Sequence, residues 1–192
     1  MVMKQIYEII TRDSSVVKLI KYADDEEGDE NMRIFIKKRD SELSDSEDAR
    51  LLLKKVLWDY HSLSLSLLTE RKNKDGKPYF ENCPIHFNIS HSFDYVVLAV
   101  GECEVGIDIQ RINNISEKVL ERFVGKKGES ALENTLLWTH LESYAKLIGR
   151  GIPLRDDERG IPCEYFDFTS LDGYVISVCL YAPADIPEFI LI

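Results

Sequence analysis

Two short stretches hold the residues whose types and spacing could do chemistry. They are Val105-Gly106-Ile107-Asp108-Ile109-Gln110 and Trp138-Thr139-His140-Leu141-Glu142-Ser143-Tyr144-Ala145-Lys146. The first reads as a strand. Alternation then points Asp108 and Gln110 one way and Val105, Ile107 and Ile109 the other. The second reads as a helix, where Glu142 and Lys146 stand four apart on one face. Two carboxylates, a neutral oxygen donor and a lysine suit a hard divalent cation that holds a phosphorylated ligand. Magnesium binds in this manner, through one or two carboxylates plus substrate phosphates. Each stretch alone also fits ordinary structure: a solvated strand end, or a surface ion pair on a helix.

A preceding segment changes that balance. Gly76-Lys77-Pro78-Tyr79-Phe80 and Phe87-Asn88-Ile89-Ser90-His91-Ser92 come before Val-Gly-Ile-Asp-Ile and Trp-x-x-x-Glu-Ser-x-x-Lys-x-x-Gly-x-Gly, in a run from Gly76 to Gly151. Four motifs in this order resemble the 4′-phosphopantetheinyl transferases, and are similar to the Sfp type, which activates carrier proteins. The resemblance implies an α+β fold of two similar halves, 1–101 and 102–192, related by a pseudo-twofold axis, with the active site between them. It implies transfer of 4′-phosphopantetheine from coenzyme A to a serine of an apo acyl or peptidyl carrier protein, releasing 3′,5′-ADP. An alternative is a module that binds coenzyme A or a carrier with little or no turnover.

By the same resemblance Asp108 and Glu142 are magnesium ligands, with Gln110 as a third donor. Lys146, His91 and Ser90 contact coenzyme A phosphate, Lys77 lies along the adenine nucleotide, and Arg50 reaches the 3′-phosphate. Lys37, Lys38 and Arg39 form a second basic cluster that could serve the same phosphate or be solvated. Glu129 stands roughly where relatives carry a further Glu near the metal, and otherwise reads as an acidic residue in the first turn of a helix. Glu142, Glu129 or a metal-bound water could take the serine proton. Two positions depart from the family pattern: Leu141 replaces a usual Lys, and Gln110 replaces a frequent Glu.

The elements that must position these residues are legible in outline. Ile6–Ile10 and Val16–Tyr22 read as strands, and residues 24–31 as an acidic surface loop. Ser44 and Glu47 match a capping box that opens a helix to about Tyr60, with Leu52, Leu53, Val56 and Tyr60 as its apolar stripe. Residues 71–76 form a basic turn. Ile85–Ile89, Val96–Val100 and Val105–Ile109 read as strands, the last two joined as a hairpin through Gly101–Glu104. Ser116–Phe123 is a short helix, and a long one runs from about Glu129 to Ile148, stopped by Gly149. In it, Trp138, Leu141, Ala145 and Ile148 form an apolar stripe that points Trp138 to the core. Residues 165–168 and 174–182 read as a hairpin, before a last strand at 189–192. Hairpins and helices without βαβ regularity argue α+β.

Composition sets the outer bounds. With 192 residues, 44% of them hydrophobic, the chain can bury a core as one domain or two small lobes. A net charge of −10 argues against nucleic acid and anionic membranes as partners, and opposes the approach of an acidic carrier. Docking of a carrier then rests on an apolar or locally basic patch. Cys83, Cys103, Cys163 and Cys179 form no Cys-x-x-Cys pair, which fits free thiols in a reducing cytoplasm. The longest apolar run, 174–182, is far short of the ~20 residues that span a membrane. Two halves completing one site within one chain imply a monomer.

Overall fold

A computed structural model describes residues 32–113, 115–154 and 160–192, together with the backbone of two strands, β1 (Lys4–Ile10) and β2 (Val16–Tyr22), which pair antiparallel. The expected loop at 24–31 lies outside the described residues.

A four-stranded sheet is built from β3 (Arg33–Lys38), β6 (His86–Ser92), β7 (Tyr95–Gly101) and β11 (Glu188–Leu191), in the order β11-β3-β7-β6. A three-stranded sheet is built from β8 (Val105–Arg111), β9 (Cys163–Phe168) and β10 (Tyr174–Tyr181), in the order β8-β10-β9. β11 runs parallel to β3, so residues from the end of the chain complete the sheet begun near its start. A small hairpin, β4 (Glu70–Lys72) with β5 (Pro78–Phe80), takes up the expected basic turn.

Strand alternation sorts side chains into layers. Ile34, Ile36, Val97 and Ala99 of one sheet meet Val105, Ile107, Ile109, Ile176, Val178 and Leu180 of the other in a core between the sheets. The opposite face of the four-stranded sheet, with Phe35, Val96, Leu98 and Val100, is covered by α1 (Asp45–His61). The outer face of the three-stranded sheet carries α3 (Ala131–Leu147). A short α2 (Glu117–Phe123) packs against α3. The result is the mixed α+β class that the motifs imply.

The capping box forms as expected: Ser44 Oγ accepts from the Glu47 amide, and the Glu47 carboxylate accepts from the Ser44 amide. Those hydrogen bonds hold the Glu47 carboxyl below the usual carboxylate range. Leu52, Leu53, Val56 and Leu57 are buried beneath α1. Tyr60 departs from the expected stripe: it is 42% exposed, and its ring meets Phe35 edge-on with centroids 4.7 Å apart.

The expected hairpin between β7 and β8 does not form. The two strands belong to different sheets, because each buries its apolar face best against the sandwich core rather than beside the other. β6 lies instead across the free edge of β8, and its buried side chains stand in for a backbone ladder. Asn88 Oδ1 accepts from the Ile107 amide (3.1 Å), Ser90 Oγ from the Ile109 amide (3.4 Å) and Ser92 Oγ from the Arg111 amide (3.1 Å). A polar residue at every second position of β6 thus satisfies edge amides that burial would otherwise leave unpaired. β6 is also longer than expected, so Ser90 and His91 lie within it rather than after it.

Candidate active site

The junction between the two sheets is also where the chemistry-bearing residues meet. A cleft of about 350 Å³ is lined by Ser90 and His91 of β6, Asp108 and Gln110 of β8, and Trp138, Glu142 and Lys146 of α3. Ile89 and Ile109 complete its wall. A second hollow of about 180 Å³ shares Ile89 and Lys146 with it and extends toward Lys77 and Arg150.

α3 can sit this close to β8 because of Gly106. A Cβ built there would lie 1.9 Å from the Ser143 carbonyl oxygen and 2.4 Å from the Leu147 amide nitrogen. The helix meets the sheet through a stripe of small polar and apolar residues, Thr135, Thr139, Ser143 and Leu147, all buried. Thr139 hydrogen-bonds Ser177 at 2.8 Å, Ser177 donates to Asp167 at 2.7 Å, and His140 contacts the same carboxylate at 2.9 Å while stacking on Tyr165. This corrects the expected buried stripe. Leu141 and Ile148 do pack inward, against the cluster around Cys179, but Trp138 lines the cleft and meets Phe123 edge-on at 6.4 Å. A three-four periodicity marks one face of a helix; it does not tell which neighbour that face meets. Glu129 also lies before the helix, whose N-cap is Ser130, and the first-turn acid is Glu133.

Asp108 is 6% exposed and densely bonded. Its Oδ1 accepts from Ser90 Oγ (2.8 Å) and from Lys146 Nζ (2.7 Å). Lys146 also donates to Ser90 Oγ (2.9 Å) and to the Ile107 carbonyl (3.0 Å). The Glu142 carboxylate has no hydrogen-bond partner among the described residues. Burial pushes its carboxyl above the ordinary value, and the negative charge of Asp108 adds to this against the opposing pull of Lys146. The donors facing the cleft are two carboxylates and one amide oxygen, an all-oxygen set that fits a hard cation such as magnesium. Such a cation would also relieve the mutual repulsion of the two carboxylates.

Known proteins resemble this chain over most of its length. A family model described as 4′-phosphopantetheinyl transferase, N-terminal, matches residues 12–103. The 4′-phosphopantetheinyl transferase Sfp of Bacillus subtilis (strain 168) is 30% identical over 187 residues, covering 83% of this chain and 82% of that protein. The chain belongs to the 4′-phosphopantetheinyl transferase family. The family's ffp protein from Bacillus subtilis is 29% identical over an equal span. Its gsp protein from Aneurinibacillus migulanus is 40% identical over 112 residues, a match that spans about half of that relative's length (47%).

Within this member of the family the expected site residues separate into two groups. Asp108, Gln110, Glu142, Lys146, Ser90 and His91 line one cleft, where exposed His91 also contacts Asp45 at 3.2 Å. Lys77 lies beside that cleft but turns inward. Its Nζ donates to Glu104 (2.6 Å) and to the carbonyls of Val105 and Leu147 (3.1 Å each), tying the last turn of α3 to the start of β8. Arg50 and Glu129 are not among the cleft-lining residues, and Arg50 is paired with Glu70 at 2.8 Å on the surface. Of the second basic cluster, Lys37 pairs with buried Asp48, and Arg39 with Asp45. Sequence reasoning missed Trp138 as a cleft residue, and Asn88 and Ser92 as the frame that aligns β6 with β8. The period-two run of polar residues at 88, 90 and 92 was the available signal for the frame.

Proposed function

We propose that this chain transfers 4′-phosphopantetheine from coenzyme A to a serine of an apo acyl or peptidyl carrier protein, with magnesium held by Asp108, Glu142 and Gln110. The observation that carries the reading is the meeting of two carboxylates, an amide oxygen, a lysine and a histidine in one cleft formed by β6, β8 and α3. Bound magnesium supplies Lewis-acid stabilisation of pyrophosphate charge. The carrier serine oxygen forms a bond to the phosphorus that bears the pantetheine arm, and the bond from that phosphorus to the bridging oxygen breaks. The leaving group is 3′,5′-ADP. Lys146 adds positive charge around the phosphates, and the exposed His91 ring offers nitrogen atoms for hydrogen bonds to them. Of the residues considered for the serine proton, Glu142 is the one that faces the cleft, where its carboxylate or a metal-bound water could take that proton. Trp138 and Ile89 give the cleft an apolar wall for the pantetheine arm.

Every role in this reading falls on one chain, so a monomer is its working unit. Four free cysteines fit the reducing cytoplasm of this reading, and among the described residues no helix is long and apolar enough to cross a membrane.

The test is intact mass measurement of an apo acyl carrier protein, and separately of an apo peptidyl carrier, after incubation with this chain, coenzyme A and magnesium. A gain of one phosphopantetheine, abolished by chelator, is expected. No gain on either carrier, with coenzyme A still bound, would replace the transferase by a binding module. Gln110 yields a narrower expectation. An amide oxygen binds a cation more weakly than a carboxylate does, so Gln110→Glu should lower the magnesium concentration for half-maximal transfer by roughly threefold or more. Equal magnesium dependence of the two proteins would remove Gln110 from the cation site.

A further inference from the structure

Lys146 is the most constrained charge in the cleft. An ammonium has three donors, and here all three have partners: Asp108 Oδ1, Ser90 Oγ and the Ile107 carbonyl, at 2.7 to 3.0 Å. Its side chain is 26% exposed and that of Asp108 only 9%, so solvent screens the pair weakly. Both ammonium and Ser90 bond to Oδ1, and none of these bonds reaches Oδ2. Apart from the His91 ring, the charges lining the cleft are two carboxylates and one ammonium beside the neutral Gln110, which leaves one net negative charge to attract a divalent ion. The ammonium that orients Asp108 is also the group that most repels a cation there.

We infer that Lys146 and a divalent cation are competing counter-charges for Asp108, and that a pyrophosphate ligand relieves the competition by sharing the lysine's charge. The inference rests on the transferase reading of the cleft. Lys146 then acts as a coupling residue. It keeps cation affinity low when no phosphate is bound and makes cation and coenzyme A bind cooperatively. Coupling of this kind is reciprocal, so the cation tightens coenzyme A by the same factor. Such a device would keep the carboxylates oriented without trapping a cation in a geometry unsuited to the pyrophosphate.

The test titrates Mn²⁺ into the full chain and reads free ion by electron paramagnetic resonance, with and without saturating coenzyme A and with a coenzyme A blank. Lys146→Met removes the charge and its bonds. Lys146→Gln removes the charge but keeps an amide donor for Ile107 and Ser90, which guards against local collapse, and circular dichroism checks the fold of both. Without coenzyme A, both variants are expected to bind Mn²⁺ at least about tenfold more tightly than the unaltered chain. Coenzyme A should tighten Mn²⁺ binding to the unaltered chain by a larger factor than in either variant. Variants that bind Mn²⁺ no more tightly than the unaltered chain would overturn the inference and make Lys146 an orienting residue only. Failure of coenzyme A to bind at all would instead sink the transferase reading, and the comparison in its absence would still decide this one.

Discussion

Replacing Gly106 by alanine is expected to destabilise the chain by about 3 kcal/mol or more and to abolish transfer with it. The added methyl would meet main-chain atoms of α3, the Ser143 carbonyl at 1.9 Å and the Leu147 amide at 2.4 Å. Main chain cannot rotate aside as a side-chain tip can, so the helix must lift from the sheet. Lifting it separates Glu142 and Lys146 from Asp108 and breaks the bonds between Lys146 and β8. Urea unfolding followed by circular dichroism, alongside the carrier mass assay, measures both effects. Gly151 is the control: a Cβ there meets nothing within 4 Å, so Gly151→Ala should stay within about 0.5 kcal/mol of the unaltered chain. If Gly106→Ala proved as stable as Gly151→Ala, the close approach of α3 to β8 would be wrong.

Asp108→Asn should lower the rate of transfer by about a thousandfold or more while the chain remains folded. Asparagine keeps the size of the side chain and one oxygen able to accept from Ser90 or Lys146. It loses the negative charge that balances Lys146 and that would hold a cation. The conservative change is preferable to alanine because Asp108 is 6% exposed and shares bonds with two neighbours. Alanine would therefore confound a hole in the packing with a loss of chemistry. Initial rates of phosphopantetheine gain by the carrier, with thermal melting measured in parallel, provide the check. An asparagine variant that keeps a tenth of the rate would remove Asp108 from the reaction.

The relation between these two residues explains how much of the site was readable before any fold was known. Asp108 and Gln110 share a face because a strand alternates, and Glu142 and Lys146 share a face because a helix repeats near every fourth residue. The capping box at Ser44 and Glu47 forms for a similar reason, its partners three residues apart. The order of the four motifs carried the family. In the strand, the helix and the cap the relevant sterics act within a few residues along the chain.

Only the tertiary structure decided which elements meet. Gly106 looked like one more glycine in a motif, and its need to be glycine comes from Ser143 and Leu147, far along the chain. β8 pairs with β10 and is bridged by β6, rather than folding back on β7, because the apolar faces of both sheets are buried best in one shared core. Lys77, expected along the adenine nucleotide, turns inward to hold the end of α3. Trp138 leaves the core for the cleft, and Lys146 closes onto Asp108 across 38 positions of sequence. Local sterics dictated where each residue could point. What it points at depended on how distant apolar faces are buried together, and no spacing within a motif encodes that.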